Sequence, residues 1–494
     1  MAVTTQLKNQ HLLWRAGFGP AVEQLQDLSR FSPHEFYDAL KKGSAKKPMY
    51  LRTVENTAEG LMAGIGREAR MKKTELSPEE RRIRQRQNRQ GIRDLNIAWL
   101  KEMVNSGAQL REKLAFFWHD HFACRNLNVF YQQELLDVLR RNALGNFGTM
   151  LREVSRSAAM LNFLNNQQNR KGHPNENFAR EVMELFTIGR GNYSETDVRE
   201  AARAFTGWAS NAAGEFVFRK GQHDNGTKTV LGKTGNLNGD DVLDILLESR
   251  KTAGFIAAKL YAFFVNEKIN EAHVKKLADV FYSSDYEIMP VLDHMFRADW
   301  FYDKENIGAR IKSPVELLAG MQRMVPMAIQ NEDSLLVLQR VLGQVLFYPP
   351  NVAGWQGGTA WIDSSTLMLR LRLPQLFNDQ DELNISPKDD DDQMMGRQSA
   401  ADEEGQRIRK QSGKSMQGRG MKLINANLEW AKMYRHLEKT PREKLLNNIA
   451  GILMQTGTAV NEKVVMSYVD SGSREDFIRS ATIQLMSTPE YQLC

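Results

Sequence analysis

Apolar positions recur at three- and four-residue spacing along most of the chain, and polar cap residues stand just ahead of them. Leu317, Leu318, Met321 and Met324 follow Ser313-Pro314-Val315-Glu316 in this way. The same start signal occurs at Ser32-Pro33-His34-Glu35, Ser77-Pro78-Glu79-Glu80 and Thr440-Pro441-Arg442-Glu443, with Ser194 and Asp197 as a fifth, weaker case. In the first four, a hydroxyl can accept from an orphan helix N–H, proline occupies a position that needs no donor, and the acidic residue closes the capping box. The spacing therefore predicts a mainly α protein, a multi-helix globular body with a helical C-terminal segment. Strand patterning is confined to Phe216-Val217-Phe218 and Thr229 to Leu231, with Asp224-Asn225-Gly226 between them. That arrangement predicts one small β-hairpin.

Two stretches break the apolar rhythm. Residues 66–93 are dense in arginine and lysine but lack interleaved aromatic rings, which predicts a solvated charged helix rather than a nucleic-acid surface. From Asn378 to Lys422 the chain passes through Asp389-Asp390-Asp391-Asp392 and then glycine, serine, glutamine and mixed charge. Such a composition cannot bury enough apolar surface to order itself, so a disordered insert is expected at 378–422. It would divide a main helical body, 1–377, from a C-terminal segment, 423–494.

Composition narrows the picture further. The 494 residues are 41% hydrophobic and carry a formal net charge of +6, enough for large cores and too small a charge to imply an acidic partner. Only Cys124 and Cys494 are present, neither in a CxxC or zinc spacing, so no disulfide framework or zinc finger is expected. No stretch approaches the roughly 18–20 apolar residues needed to span a bilayer. Met1 to Gln10 has no apolar core, so no secretory signal is visible. The default expectation is a cytoplasmic protein, with periplasm or envelope reached by co-export as the alternative.

Candidate chemistry falls in four clusters. His119 and His121 flank Asp120 after the apolar run from Arg111. On a strand or loop they would share a face and could hold a divalent metal; on a helix they point about 200° apart and could not. The metal reading thus requires the helix to end near His119. In the second cluster Asn177, Glu181 and Glu184 fall at i, i+4 and i+7 with Arg180 beside them, while Phe178, Val182 and Leu185 form an apolar stripe. Two carboxylates one turn apart can bind a cation or serve as acid and base if burial separates their pKa values, or can be neutralised by Arg180 or Arg199. His223 beside Asp224 could present an oriented imidazole at the hairpin tip, although the turn accounts for the same residues. Finally, Trp355 and Trp361 lie on a loop punctuated by proline and glycine; exposed they could stack on sugar rings, buried they would cap a core.

Several familiar patterns are missing. Gly232-Lys233-Thr234 is not a phosphate loop, because Thr227 stands where the first glycine is required and no helix pattern follows. Asp363-Ser364-Ser365 lacks a GxSxG elbow, and no HExxH occurs.

Read together, six phrases carry a resemblance. They are His11-Leu12-Leu13-Trp14-Arg15 through Phe18-Gly19-Pro20, Phe117-Trp118-His119-Asp120-His121-Phe122, and Asn175-Glu176-Asn177 with Arg180-Glu181 and Glu184-Leu185-Phe186-Thr187. The others are Phe205-Thr206-Gly207-Trp208, Lys312-Ser313-Pro314-Val315-Glu316 and Pro349-Pro350-Asn351-Val352-Ala353-Gly354-Trp355. Their order and spacing over residues 8–375 resemble the bacterial domain-of-unknown-function family 1800. This chain departs from that pattern at Asp120, where asparagine is frequent, and at Gln356, where proline is. The resemblance implies no particular reaction. It does imply a partner, since genes of that family often neighbour those of a sulfatase-like family carrying a twin-arginine export signal.

The expectation for function is an envelope- or polysaccharide-related enzyme with a carboxylate and histidine pocket. Glu181, Glu184, Arg180, Asn177, Asp120 and His223 would be its catalytic groups. His119 and His121 would hold any divalent metal cofactor, and Arg15, Asn175, Trp355 and Trp361 would bind substrate. The alternative is a non-catalytic helical scaffold for the co-encoded sulfatase-like protein.

Overall fold

At Ser313 the capping box forms as the sequence dictates: its N–H donates to Glu316 Oε2 at 2.8 Å and its hydroxyl accepts from Glu316 N–H at 3.4 Å, opening helix Pro314–Met324. Ser194 and Asp197 close the same box ahead of helix Glu195–Ala204. Helices also begin at Pro33 and Pro78. After Thr440-Pro441 the chain makes a 3₁₀ turn, Arg442–Lys444, before helix Leu445–Leu453 begins. The computed structural model describes residues 3–53, 78–211, 213–379, 424–457 and 461–494. Within them the protein is mainly α with small two-stranded antiparallel sheets. The stretch expected to be a disordered insert, 378–422, lies from residue 380 onward outside the described residues, as does 66–77 of the basic stretch.

The strands pair differently from the expected hairpin. Phe216–Phe218 pairs with Trp208–Ser210, and Lys228–Val230 pairs with Lys233–Gly235, so two hairpins replace one. The second is closed by Leu231 and Gly232, both with positive φ (48° and 81°). Such a two-residue turn matches strand twist, but here it places leucine where asparagine or glycine is the usual signal. Asp224-Asn225-Gly226 forms a local turn instead, Gly226 N–H donating to Asp224 Oδ1 at 2.8 Å.

The chain divides into two compact units. The first comprises residues 1–33, 302–350 and 356–494. Here Lys312 is fully buried between the rings of Trp14 and Tyr491, its Nζ 3.8 Å from each ring centre. Its main chain pairs with Gln492, while Arg310 pairs with Cys494 and forms a buried ion pair with Glu316. Strand Met327–Ile329 pairs with Ala426–Leu428.

The second unit comprises residues 34–301 and 351–355. Helix Gln109–His121 is its axis: every residue except Asp120 is buried. A helix covered on all sides must satisfy each polar side chain inside the core. Glu112 accepts from Arg140 Nε at 2.9 Å and Nη2 at 3.0 Å, from Arg111 Nε at 3.2 Å, and from Trp99 Nε1 at 3.0 Å. Trp118 donates to Ala143 O at 3.1 Å and packs against Phe117 and Phe147. Helix Arg250–Phe264 lies near its C-terminal end and brings Phe263 and Phe264 against Phe117. Among the described residues no helix is long and apolar enough to cross a membrane.

Candidate active site

Helix Gln109–His121 continues through His119 and ends at Phe122, whose N–H returns to Trp118 O. The condition for a shared metal is therefore unmet: His119 and His121 leave a helical backbone in different directions. His119 is sealed between Trp99 and Trp355, with ring centres at 5.1 and 5.7 Å. Burial pushes its pKa down to about 3. His121 packs on Phe122 and Phe186 instead. Among the described residues no group of three or more His, Cys, Asp or Glu side chains is placed to hold a metal ion.

His121 is also held neutral, first by burial and then by the Lys259 ammonium. Its Nδ1 lies 3.2 Å from Lys259 Nζ and its Nε2 lies 3.3 Å from Phe186 O. One tautomer satisfies both contacts: Nε2–H donates to the carbonyl and Nδ1 accepts from the lysine.

Between the two sealed imidazoles, Asp120 keeps part of its surface exposed. Its Oδ1 accepts the Trp355 main-chain N–H at 2.8 Å. Burial raises its pKa to about 6, against the lowering effects of that N–H and of Lys259. Lys259 is likewise half-buried; its Nζ also lies 3.4 Å from Leu185 O and 4.9 Å from the Phe255 ring centre. Burial brings its pKa down to about 8, opposed by the Asp120 charge. Near pH 7 the carboxyl is then mostly ionised and the amine mostly protonated, each closer to its titration than an exposed group would be.

The carbonyls of Leu185 and Phe186 reach this cluster because the helix starting at Asn177 changes character. Asn177–Glu181 is α-helical and Val182–Phe186 is a π turn. The wider turn rotates Glu184 away from the regular i, i+4, i+7 stripe expected from the sequence. Glu184 accepts from Arg190 Nε at 2.8 Å and from the Tyr193 hydroxyl. Glu181 is half-buried with no hydrogen bond or ion pair among the described residues, and burial and Glu184 raise its pKa. Arg180 forms an ion pair with neither, although its charge partly offsets the rise at Glu181: it bonds Glu195 at 2.8 and 2.7 Å and Glu176 at 3.1 Å. Asn175 and Asn177 serve the local chain, Asn175 Oδ1 accepting Asn177 N–H at 3.0 Å and Asn177 Nδ2 donating to Leu164 O at 3.2 Å.

The remaining expected residues stand elsewhere. His223 is buried against Phe218, its Nδ1 2.9 Å from Thr206 O, while Asp224 pairs with Arg203 at 2.8 Å. Trp355 and Trp361 are both buried, so neither offers a face for stacking on a sugar. Arg15 and Trp361 belong to the first unit, where Arg15 donates to Asn306 O at 3.1 Å. The structure thus brings together His119, Asp120, His121 and Trp355, and adds Lys259, which the sequence reading missed. Its only signal was a lone cation in the otherwise apolar run Ile256-Ala257-Ala258-Lys259-Leu260-Tyr261.

The phrases that converge on this cluster belong to one matched region. The family model for protein of unknown function DUF1800 matches residues 11–493. The chain belongs to the DUF1800 family. No curated protein and no solved structure matches it. In this member Asp120 supplies the ionisable group whose charge acts on Lys259.

Proposed function

We propose that this chain is a hydrolytic enzyme of acid–base type, acting on an envelope- or polysaccharide-derived substrate, with Asp120 and Lys259 as its working pair. The observation that supports it is that the two lie in one cluster, near enough for each charge to act on the other's titration. Asp120 and Lys259 are the part-exposed members of a cluster whose imidazoles are sealed, and burial draws both titrations toward neutral pH. Above about pH 6 the Asp120 carboxylate can take a proton from an attacking water. The Lys259 ammonium can offset charge developing on the substrate oxygen and return a proton to the leaving group. His121 accepts from Lys259 and fixes where its ammonium points. Trp355 N–H does the same for the carboxylate.

The test is turnover of chromogenic glycosides, sulfate esters and acyl esters by the wild type, Asp120→Asn and Lys259→Met. Loss of about 10²–10⁴-fold in both variants with unchanged folding is the expected result. Turnover that survives both substitutions would remove the reading.

A second reading, a non-catalytic partner of the co-encoded sulfatase-like protein, is favoured by a run of exposed apolar side chains at Val464, Met466 and Tyr468. Co-expression should then yield a complex that Tyr468→Asp weakens, whereas clean separation of the two proteins would count against it.

A further inference from the structure

Apart from the Asp120 cluster, the second unit contains a cavity of about 760 Å³, within the size range of small-molecule sites. None of the residues expected from the sequence to act on or bind a substrate lines it. One side is aromatic: Phe130 and Tyr131, both half-buried, open helix Val129–Asn142. Gly214, at φ 84°, brings the hairpin turn against the Tyr131 ring, so close that a Cβ there would lie 2.8 Å from it. The turn thereby fixes the ring as part of the wall.

The charges around the cavity are unevenly compensated. Its two arginines are already matched, Arg152 by Asp244 and Arg156 by Asp240. Arg156 also lies over the rings of Trp208 and Phe216, at 5.7 and 5.3 Å. Each guanidinium thus already holds an aspartate, although the buried Nε of Arg156 has no hydrogen-bond partner among the described residues. The carboxylates are not matched in the same way. Glu134 accepts only from the Tyr50 hydroxyl, at 2.8 Å, and Glu215 only from Asn211 Nδ2, at 2.8 Å; among the described residues neither has a cationic partner. Glu153 shares Arg141 with Asp137. Further cations stand nearby: Arg84, whose charge partly offsets the burial that raises the Tyr131 phenol, and Arg52, over the Tyr50 ring at 6.0 Å. With the aspartates that hold its arginines included, the described residues around the cavity keep an excess of negative charge beside two aromatic faces.

We propose that this cavity binds a small organic cation, a primary amine or guanidinium carried on an apolar or aromatic body. The charged head would meet Glu134 and Glu215, and the body would lie along Phe130 and Tyr131, combining charge pairing with aromatic contact. An anion would find only arginines that already hold aspartates. A neutral ligand would gain no charge pairing from the two carboxylates.

A matched pair of probes separates these cases. Tyramine and tyrosol have the same aromatic body and differ at the end of the chain, amine against hydroxyl. Binding of each to the full chain is followed by calorimetry and ligand-observed NMR at low salt, for the wild type, a Glu134→Gln/Glu215→Gln double variant, and Tyr131→Ala. Both glutamates are exposed, so the double variant should fold; circular dichroism checks this. Tyramine should saturate in the millimolar range with tyrosol at least about tenfold weaker. The double variant should weaken tyramine about tenfold and leave tyrosol unchanged, and Tyr131→Ala should weaken both. Equal affinity for the two probes, tyramine binding indifferent to the glutamates, or no saturation by tyramine would each overturn the proposal. None of these outcomes depends on catalysis by Asp120 and Lys259.

Discussion

The main-chain N–H of Trp355 donates to Asp120 Oδ1 at 2.8 Å, joining residues 235 apart in the chain. The contact is made possible by Gly354, at φ 83°, where a Cβ would collide with the Asp120 carboxylate and lie 2.7 Å from its carbonyl oxygen. Gly354→Ala should therefore cost about 2–4 kcal/mol of stability, since it combines a left-handed backbone with a clash. Asp120→Asn keeps an acceptor for Trp355 and should change stability by less than about 1 kcal/mol. Asp120→Ala strands the N–H and should cost about 1–3 kcal/mol. Denaturant unfolding of the three variants checks the order; a harmless Gly354→Ala would mean the loop does not depend on this contact.

If Asp120 and Lys259 work as an acid–base pair, the pH dependence follows from their environments. Activity should rise as Asp120 ionises through about pH 6 and fall as Lys259 loses its proton through about pH 8. Lys259→Arg keeps the charge and should carry the alkaline limb beyond pH 9, at reduced rate because the guanidinium cannot adopt the same geometry. A pH–rate profile on any substrate found in the ester and glycoside screen measures this. A profile unchanged in Lys259→Arg would assign the alkaline limb to another group.

Glu112 holds Arg111 and Arg140 in the interior of the second unit. Removing the carboxylate alone leaves Arg111 buried without its anion and Arg140 with only the half-buried Glu102. Glu112→Ala should accordingly destabilise the protein by about 3–5 kcal/mol, and Glu112→Gln by less, because the amide oxygen still accepts. The readout is the thermal midpoint of each variant.

How much of this was legible depended on how local the cause was. Helix starts at Ser313 and Ser194 were readable because the cap and the acidic residue that closes the box lie within four positions, with Pro314 as a further signal at the first. The hairpin closed by Leu231 and Gly232 was not, because leucine at positive φ is held by its setting rather than by its own preference. Nor was the π turn at Val182–Phe186, which changes which carbonyls face Lys259 while leaving an ordinary helical pattern in the sequence. The histidines drew attention as chemical groups, yet complete burial leaves them in supporting positions. Lys259 drew none, since a lone lysine on a helix usually faces water; only the approach of His121 and Asp120, 138 and 139 positions earlier, gives it a role.

Lys312 offers a test in the first unit that is independent of catalysis. Burial brings its pKa down to about 7, opposed by Cys494 and Glu316. An unfolded lysine titrates near 10.4, so between about pH 7 and 10.4 the unfolded chain binds more protons at this position than the folded one. Stability must then rise with pH across that window, by up to about 1.4 kcal/mol per pH unit from this residue, and the gain is complete above the unfolded pKa. Below pH 7 both states are protonated and the penalty of burying the charge is fully present. Lys312→Met abolishes this dependence while keeping a flexible apolar stem between Trp14 and Tyr491. Subtracting the variant's stability from the wild type's at each pH cancels the other titrating groups, and the difference should climb from pH 7 to pH 10. A flat difference would mean that Lys312 keeps its ordinary charge in the folded protein, held by the two ring faces and the Tyr491 carbonyl to which it donates.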